Sequence, residues 1–260
     1  MKIAGRVVVV TGGAQGIGAA LCRRFHREGA KAVIVADIDI EAAEAVARAA
    51  GGLAIRCDVA DEGQMAALIE QTEGQWGGID LFCSNAGIAR FNPDPANAAS
   101  PPNEDWRQCW NVNVMSHVYA ARALAPRMAA RGGGYFLITV SAAGLLSQIG
   151  GSVYATTKHA ALGFAENLAI THFDQGIRVS VLCPQGVDTP MLRSLPPGPQ
   201  ALDGVMSADD VAAATVAGLE KESFLILPHP EVLGYMQNKA RDYDRWIAGM
   251  AKLRRRLQGS

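Results

Sequence analysis

Four consecutive valines, Val7–Val10, run straight into Thr11-Gly-Gly-Ala-Gln-Gly-Ile-Gly18 and then into a helical pattern from about Ile17 to Glu28. Successive side chains of a strand point to opposite faces, so a run that is apolar at every position must be covered on both sides. The chain repeats this arrangement. Lys31–Ala36, Leu53–Cys57, Ile79–Ser84, Tyr135–Val140 and Arg178–Leu182 read as further buried strands, and Phe224–Leu227 as a last, short one. Helices fit between them over Glu41–Ala50, Glu62–Gln75, Trp106–Arg131 and Val153–Phe173. Strict strand–helix alternation predicts an α/β fold, a doubly wound parallel sheet with helices on both faces. No linker or repeat divides the 260 residues, so they read as a single domain.

Composition excludes several classes. A net charge of −1 argues against a nucleic-acid surface. Cys22, Cys57, Cys83, Cys109 and Cys183 are scattered, with no CxxC spacing, which points to free thiols rather than a metal site or disulfide framework. Met1–Arg6 leads directly into the first strand, leaving no room for a signal peptide, and no apolar run is long enough to span a bilayer. A cytoplasmic protein without nucleic-acid or membrane partners is expected.

Gly12, Gly16 and Gly18 form a G-x-x-x-G-x-G turn between a buried strand and a helix. Glycines there let the backbone turn sharply and approach a ligand closely, and the helix offers its free N–H groups to a pyrophosphate. This reads as a dinucleotide site. Asp37 closes the second strand, nineteen residues after Gly18. A carboxylate at that point accepts from both ribose hydroxyls and repels a 2′-phosphate, which favours NAD over NADP. Asp58-Val59 and Asn85-Ala-Gly87 follow the third and fourth strands, where the adenine and ribose would lie.

Tyr154 and Lys158 stand four apart on a helix, hence on one face, and Ser141 lies thirteen residues before the tyrosine. A free phenol, with a pKa of about 10, is a poor base at neutral pH, but a nearby fixed cation favours its phenolate. The pair is therefore a candidate acid/base for an alcohol–carbonyl interconversion.

With Thr11–Gly18, Asp58, Asn85-Ala-Gly87, Asn113, Ser141, Tyr154, Lys158 and the Pro184–Thr189 turn in this order, the chain resembles a classical short-chain dehydrogenase/reductase from about Arg6 to Met191. The resemblance implies a Rossmann-type sheet of about seven strands in order 3-2-1-4-5-6-7. It implies that Gly12, Gln15, Gly16, Ile17, Gly18, Asp37, Asp58, Val59, Asn85, Ala86 and Gly87 hold the dinucleotide. Tyr154 would be the acid/base, Ser141 would orient the substrate oxygen, and Lys158 would bind the nicotinamide ribose and lower the tyrosine pKa. Asn113 would anchor a proton-relay water at a kinked helix, with Asn111 as the competing candidate. Pro184-Gln-Gly-Val-Asp-Thr189 resembles the turn that grips the nicotinamide amide through Val187 and Thr189, with Gln185 in place of the usual glycine.

The substrate is expected to be a small hydrophobic secondary alcohol or ketone, with a carrier- or CoA-bound 3-oxoacyl group as the alternative. Ala142, Ala143, Leu146, Gln148, Gln185 and Gly186 are candidate walls, and a flap over about 190–206 adds Leu192, Leu195, Leu202, Val205 and Met206. Arg193 is the one arginine placed to reach in. A helical segment over about 231–257 ends in the basic run Lys252–Arg256, and is a candidate to cover a neighbouring pocket. The joint presence of serine, tyrosine, lysine and asparagine counts against a non-catalytic NAD-binding regulator. The chain's length and glycine spacing count against a sugar-nucleotide epimerase. Relatives are commonly tetramers, so a homo-oligomer, tetramer or dimer, is expected. Ala155, Ala160, Ala161, Gly163, Ala165 and Ala169 give the second pairing helix a small surface, which packing inside one subunit would explain equally well.

Overall fold

The four valines divide between two cores. Val7 and Val9 face one and Val8 and Val10 the other, none more than 2 % exposed. The computed structural model describes residues 1–195, 198–257 and 259. Its strands are β1 (Val7–Thr11), β2 (Ala32–Asp37), β3 (Leu53–Arg56), β4 (Leu81–Ser84), β5 (Gly134–Thr139), β6 (Ile177–Leu182) and β7 (Leu225–Ile226). They form one parallel sheet in the order β3-β2-β1-β4-β5-β6-β7. This is the expected order, in one α/β domain.

The helices are α1 (Gly16–Arg27), α2 (Ile40–Ala49), α3 (Glu62–Trp76), α4 (Asn103–Trp110), α5 (Ser116–Ala130), α6 (Ala143–Leu146), α7 (Ser152–His172), α8 (Pro190–Arg193), α9 (Ala208–Glu220), α10 (Glu231–Arg241) and α11 (Tyr243–Leu257). α3, α5 and α7 cover one sheet face with residues such as Met65, Leu68, Leu124, Met128, Ala161 and Ala165. α1, α2 and α9 cover the other with Leu21, Phe25, Ala43, Ala47, Val211 and Leu219. Each packed stripe removes apolar area from water, at about 25 cal/mol per Å². Local chemistry sets the helix starts: Asp39, Asp61 and Ser207 accept from the N–H of Ala42, Gln64 and Asp210.

Three elements differ from the expected ones. The helix expected over Trp106–Arg131 is broken into α4 and α5 by a π-helical turn at Asn111–Met115. The break sits where the Asn113 side chain is bonded outside its own helix, to Ile88 and Thr157. The C-terminal segment is two helices, because Asp242 takes an extended conformation and its carboxylate accepts from Arg245 N at 2.9 Å. The flap contains α8 and a short turn at Pro199–Ala201, while its Pro196 and Pro197 lie outside the described residues. Of the small residues on α7, Ala155, Ala161 and Ala165 are buried within the subunit, whereas a side chain at Gly163 would meet open space. No helix of the described residues is long and apolar enough to cross a membrane.

Candidate active site

Strand order reverses between β1 and β4, and the C-terminal ends of the strands open there onto one cavity of about 800 Å³. Of the residues assigned from the sequence to the cofactor or to catalysis, all but Asn113 line it.

At the β1 end the glycine turn is shaped by close approaches. Gly12 and Gly16 have φ of +63° and +52°, a region that side chains disfavour. A Cβ on Gly18 would stand 2.0 Å from the Gly12 carbonyl oxygen. A Cβ on Gly16 would press at 3.0 Å on Thr189 Cγ2, so the 184–189 turn abuts the glycine turn. Asp37 accepts from Ala14 N at 3.0 Å and from Asp39 N at 3.1 Å, which sets its carboxylate beside the turn. Asn85 knits the strand ends together. Its Nδ2 donates to the Thr11 and Gly12 carbonyls, and its Oδ1 accepts from Thr139 Oγ1 at 3.0 Å. Asn85 thus contributes to the cavity as a frame for β1, β4 and β5. Asp58 is exposed and Val59 buried, both on the cavity wall after β3.

The catalytic candidates converge at the β5 and α7 end. Ser141 has φ of +123°, an unfavourable conformation for a residue with a side chain, held by hydrogen bonds around the turn after β5. Ala142 N donates to the Pro184 carbonyl at 2.9 Å, and Ala143 N donates to Ser141 Oγ at 3.1 Å. Tyr154 and Lys158 share one face of α7, with Lys158 Nζ 5.7 Å from the phenol ring centre. Lys158 Nζ donates to the Thr139 carbonyl at 2.9 Å. Burial pushes the Tyr154 phenol above its usual range, while a hydrogen bond with Ser141 acts the other way. Burial also lowers Lys158 to about 8. The lowering of Tyr154 expected from Lys158 is therefore not the dominant effect in the chain alone. Desolvation is, because both groups sit on the same poorly hydrated wall.

Asn113 is fully buried and does not line the cavity. It clamps the Ile88 backbone, accepting from Ile88 N and donating to Ile88 O, both at 2.9 Å, and donates to Thr157 Oγ1 at 3.0 Å. It ties the segment after β4 to the helix that carries Tyr154 and Lys158. Gly87 lies beside it, with Asn113 Oδ1 and Lys158 Nζ each 3.4 Å from where its Cβ would be. Asn111 is exposed, so of the two asparagines Asn113 is the one next to the site. Behind it, His117 is buried with Nδ1 2.6 Å from Ser84 Oγ, and burial first, then Lys158, lowers it to about 3.

The short chain dehydrogenase family profile matches residues 6–200, three quarters of the chain. The chain belongs to the short-chain dehydrogenase family. The 1-deoxy-11-beta-hydroxypentalenate dehydrogenase of Streptomyces exfoliatus is 38 % identical to this short-chain dehydrogenase over 238 residues, covering 89 % of this chain and 86 % of the relative. A solved short chain dehydrogenase/reductase from Burkholderia phymatum, in complex with NAD, matches with a TM-score of 0.82 and 28 % identity, covering 94 % of this chain and 96 % of that one. A 7 alpha-hydroxysteroid dehydrogenase, in complex with NADH and 7-oxo glycochenodeoxycholic acid, matches with a TM-score of 0.78 and 28 % identity, covering 87 % and 93 %.

The substrate-side wall of this short-chain dehydrogenase was only partly legible. Ala142, Ala143, Leu146, Gln148, Gln185, Leu192, Leu195 and Leu202 line the cavity. Gly186, Val205 and Met206 do not. Met206 instead bridges Val187 through its backbone and packs toward the α9 core, and Val205 is 49 % exposed. Arg193 pairs with Asp188 outside the cavity. α11 covers the cavity of its own chain: Trp246, Met250 and Leu253 line it, joined by Tyr235 of α10 and Phe91. A helical apolar spacing at 246, 250 and 253 is visible in the sequence, but it does not say which surface the face meets. The loop over 92–103 also does more than its composition suggests. Asn92 Oδ1 accepts from Ser152 N at 3.1 Å and Ser152 Oγ at 2.8 Å, capping the helix that carries Tyr154 and Lys158 from outside it.

Proposed function

We propose that this chain is an NAD-dependent dehydrogenase that interconverts a bulky, mainly apolar secondary alcohol and its ketone, with Tyr154 as acid/base. The observation that carries the reading is that Tyr154, Ser141 and Lys158 line the same cavity as the glycine turn and Asp37. The chain's residues fit a dinucleotide. α1 starts at Gly16 with no side-chain cap and no acidic residue in its first turn, so its N–H groups are available to a pyrophosphate. Gly12, Gln15, Ile17, Gly18, Asp58, Val59, Ala86, Gly87, Val187 and Thr189 would surround the rest of it. The Asp37 carboxylate would accept from the ribose hydroxyls, and no lysine or arginine lines the cavity near it to welcome a 2′-phosphate, which supports NAD.

When bound, the cofactor supplies the hydride acceptor in one direction and the donor in the other. Tyr154 as phenolate takes the hydroxyl proton during oxidation, and as phenol returns it to the developing alkoxide during reduction. Ser141 donates to the same oxygen and, with the phenol, stabilises charge there. Lys158 would hold the nicotinamide ribose. Asn113 keeps the two walls of the site in register, and the widened turn at Asn111–Met115 is where a relay water would sit.

Leu146, Leu192, Leu195, Trp246, Met250 and Leu253 support a bulky apolar substrate, as does the likeness to a hydroxysteroid and a hydroxypentalenate dehydrogenase. A carrier-bound 3-oxoacyl group is less well supported. None of Lys252, Arg254, Arg255 and Arg256 lines the cavity, and Arg254 donates to the Pro95 carbonyl at 2.7 Å. All five cysteines are free and buried, which supports a reducing compartment such as the cytoplasm. Exposed Trp110, Ile170 and Phe173 support a homo-oligomer through the α4 and α7 surface. The test is NADH formation from a panel of cyclic secondary alcohols, with NADP run in parallel. Tyr154→Phe is expected to lower kcat by about 10³-fold with NADH binding retained. Turnover within about tenfold of the unaltered enzyme would overturn the assignment of Tyr154.

A further inference from the structure

Resting on that reading of the cavity, we infer that Asp203, held by Tyr235, is a specificity-determining acceptor that takes a hydroxyl of the substrate and turns carboxylated molecules away. The argument starts from charge. Among the described residues, five charged ones line the cavity: Asp37, Asp39, Asp58, Lys158 and Asp203. The first three follow β2 and β3 at the dinucleotide end. Lys158 belongs to α7, beside the phenol, where it donates to the Thr139 carbonyl. The wall built by the flap, α10 and α11 therefore carries one charge, and it is negative.

That carboxylate is a built feature. Tyr235, from the middle of α10, donates its hydroxyl to Asp203 Oδ1 at 2.9 Å across a separation of 32 residues. The same bond holds the Tyr235 phenol above its usual range, because a phenolate could not donate it. No salt bridge among the described residues includes Asp203. An ionised carboxylate has about four acceptor sites, and Tyr235 takes one. What remains is an acceptor with no donating function, in a wall otherwise made of leucines, methionines, prolines, a tryptophan, a glutamine and Tyr235 itself. Such a group rewards a hydroxyl or other donor and repels a second carboxylate, which on this wall meets no cation. The substrate is thus an apolar cyclic alcohol bearing a second hydroxyl, not an acid. In this it would part from the relatives whose names specify a hydroxypentalenate and a cholic acid conjugate.

The experiment uses the full chain saturated with NAD⁺ and three matched probes: 2-decalol, a decalindiol and a hydroxydecalin carboxylate. Calorimetric affinities are measured in Tyr154→Phe protein, so that turnover does not intrude, with Asp203 unaltered, Asp203→Asn and Asp203→Leu. With Asp203 the diol should bind at least about tenfold tighter than the carboxylate. In Asp203→Asn the ratio should fall toward parity, and in Asp203→Leu the diol should lose its advantage over 2-decalol. Equal or tighter binding of the carboxylate with Asp203 present, a ratio unmoved by either substitution, or no binding of the diol overturns the inference. NADH formation by the unaltered enzyme separates the two readings. A substitution-sensitive ratio without hydride transfer removes the dehydrogenase assignment and leaves Asp203 as a discriminating group. Hydride transfer with a ratio that ignores Asp203 does the reverse.

Discussion

At one end of the cavity, the Asn85 side chain alone bonds to the Thr11 and Gly12 carbonyls and accepts from Thr139, so that three strand ends are tied together. At the other end, the walls meet through side-chain contacts between distant segments: Tyr235 with Asp203 and Gln148 with Gln200. The first end is framed by backbone, and a change of one atom there strains a whole turn. The second is assembled from flap, loop and C-terminal helices, where a side chain can change size and only its neighbours respond. A fold that separates its parts in this way can keep one chemistry while its substrate wall varies.

Substitutions at the two ends should show this contrast, the largest effect coming first. Gly18→Ala would place a Cβ 2.0 Å from the Gly12 oxygen and 2.7 Å from Asn85 Nδ2. NAD binding should weaken by at least about 100-fold, roughly 2.7 kcal/mol, as read by titration of NADH fluorescence. Binding within a few-fold of normal would mean that the glycine end is as adaptable as the substrate end. Trp246→Ala should act oppositely. The KM for a bulky cyclic alcohol should rise about tenfold while the KM for NAD stays put, because the indole lines the cavity from α11, the wall proposed for the substrate. A parallel rise in the KM for NAD would show that α11 also supports the cofactor end. Asn92→Ala tests the boundary between the two. Loss of its bonds to Ser152 at the start of α7 should cost about 1 kcal/mol, seen as a Tm lower by about 2–4 °C, with the KM for NAD unchanged.

The division also explains what could be read in advance. Val7–Val10, the glycine turn, Asp37, Tyr154 and Lys158 are local signals: each depends on spacing within one strand, turn or helix. The strand order came from the resemblance to short-chain dehydrogenases that these signals carry together, and the sheet has that order. Ser141 was legible as a hydroxyl, but its φ of +123° was not, because that conformation is imposed by bonds to Pro184 and Ala143 in the folded turn. Asn113 was expected at the site from the resemblance. That its side chain would clamp Ile88 rather than line the cavity depended on which segment packs against its helix.

The substrate wall lies beyond such signals. Nothing in the spacing of Trp246, Met250 and Leu253 says that Asp242 will break the helix and fold them over the same chain's cavity. Nor does a lone Asp203 in a proline-rich flap announce a tyrosine 32 residues away. By itself the sequence determined the strands, the glycine turn and the placing of Tyr154 and Lys158 on one helix face, because periodicity and short-range spacing specify them. Only the tertiary structure decided which residues close the cavity and with what charge, because those contacts join segments far apart in the chain and are set by packing.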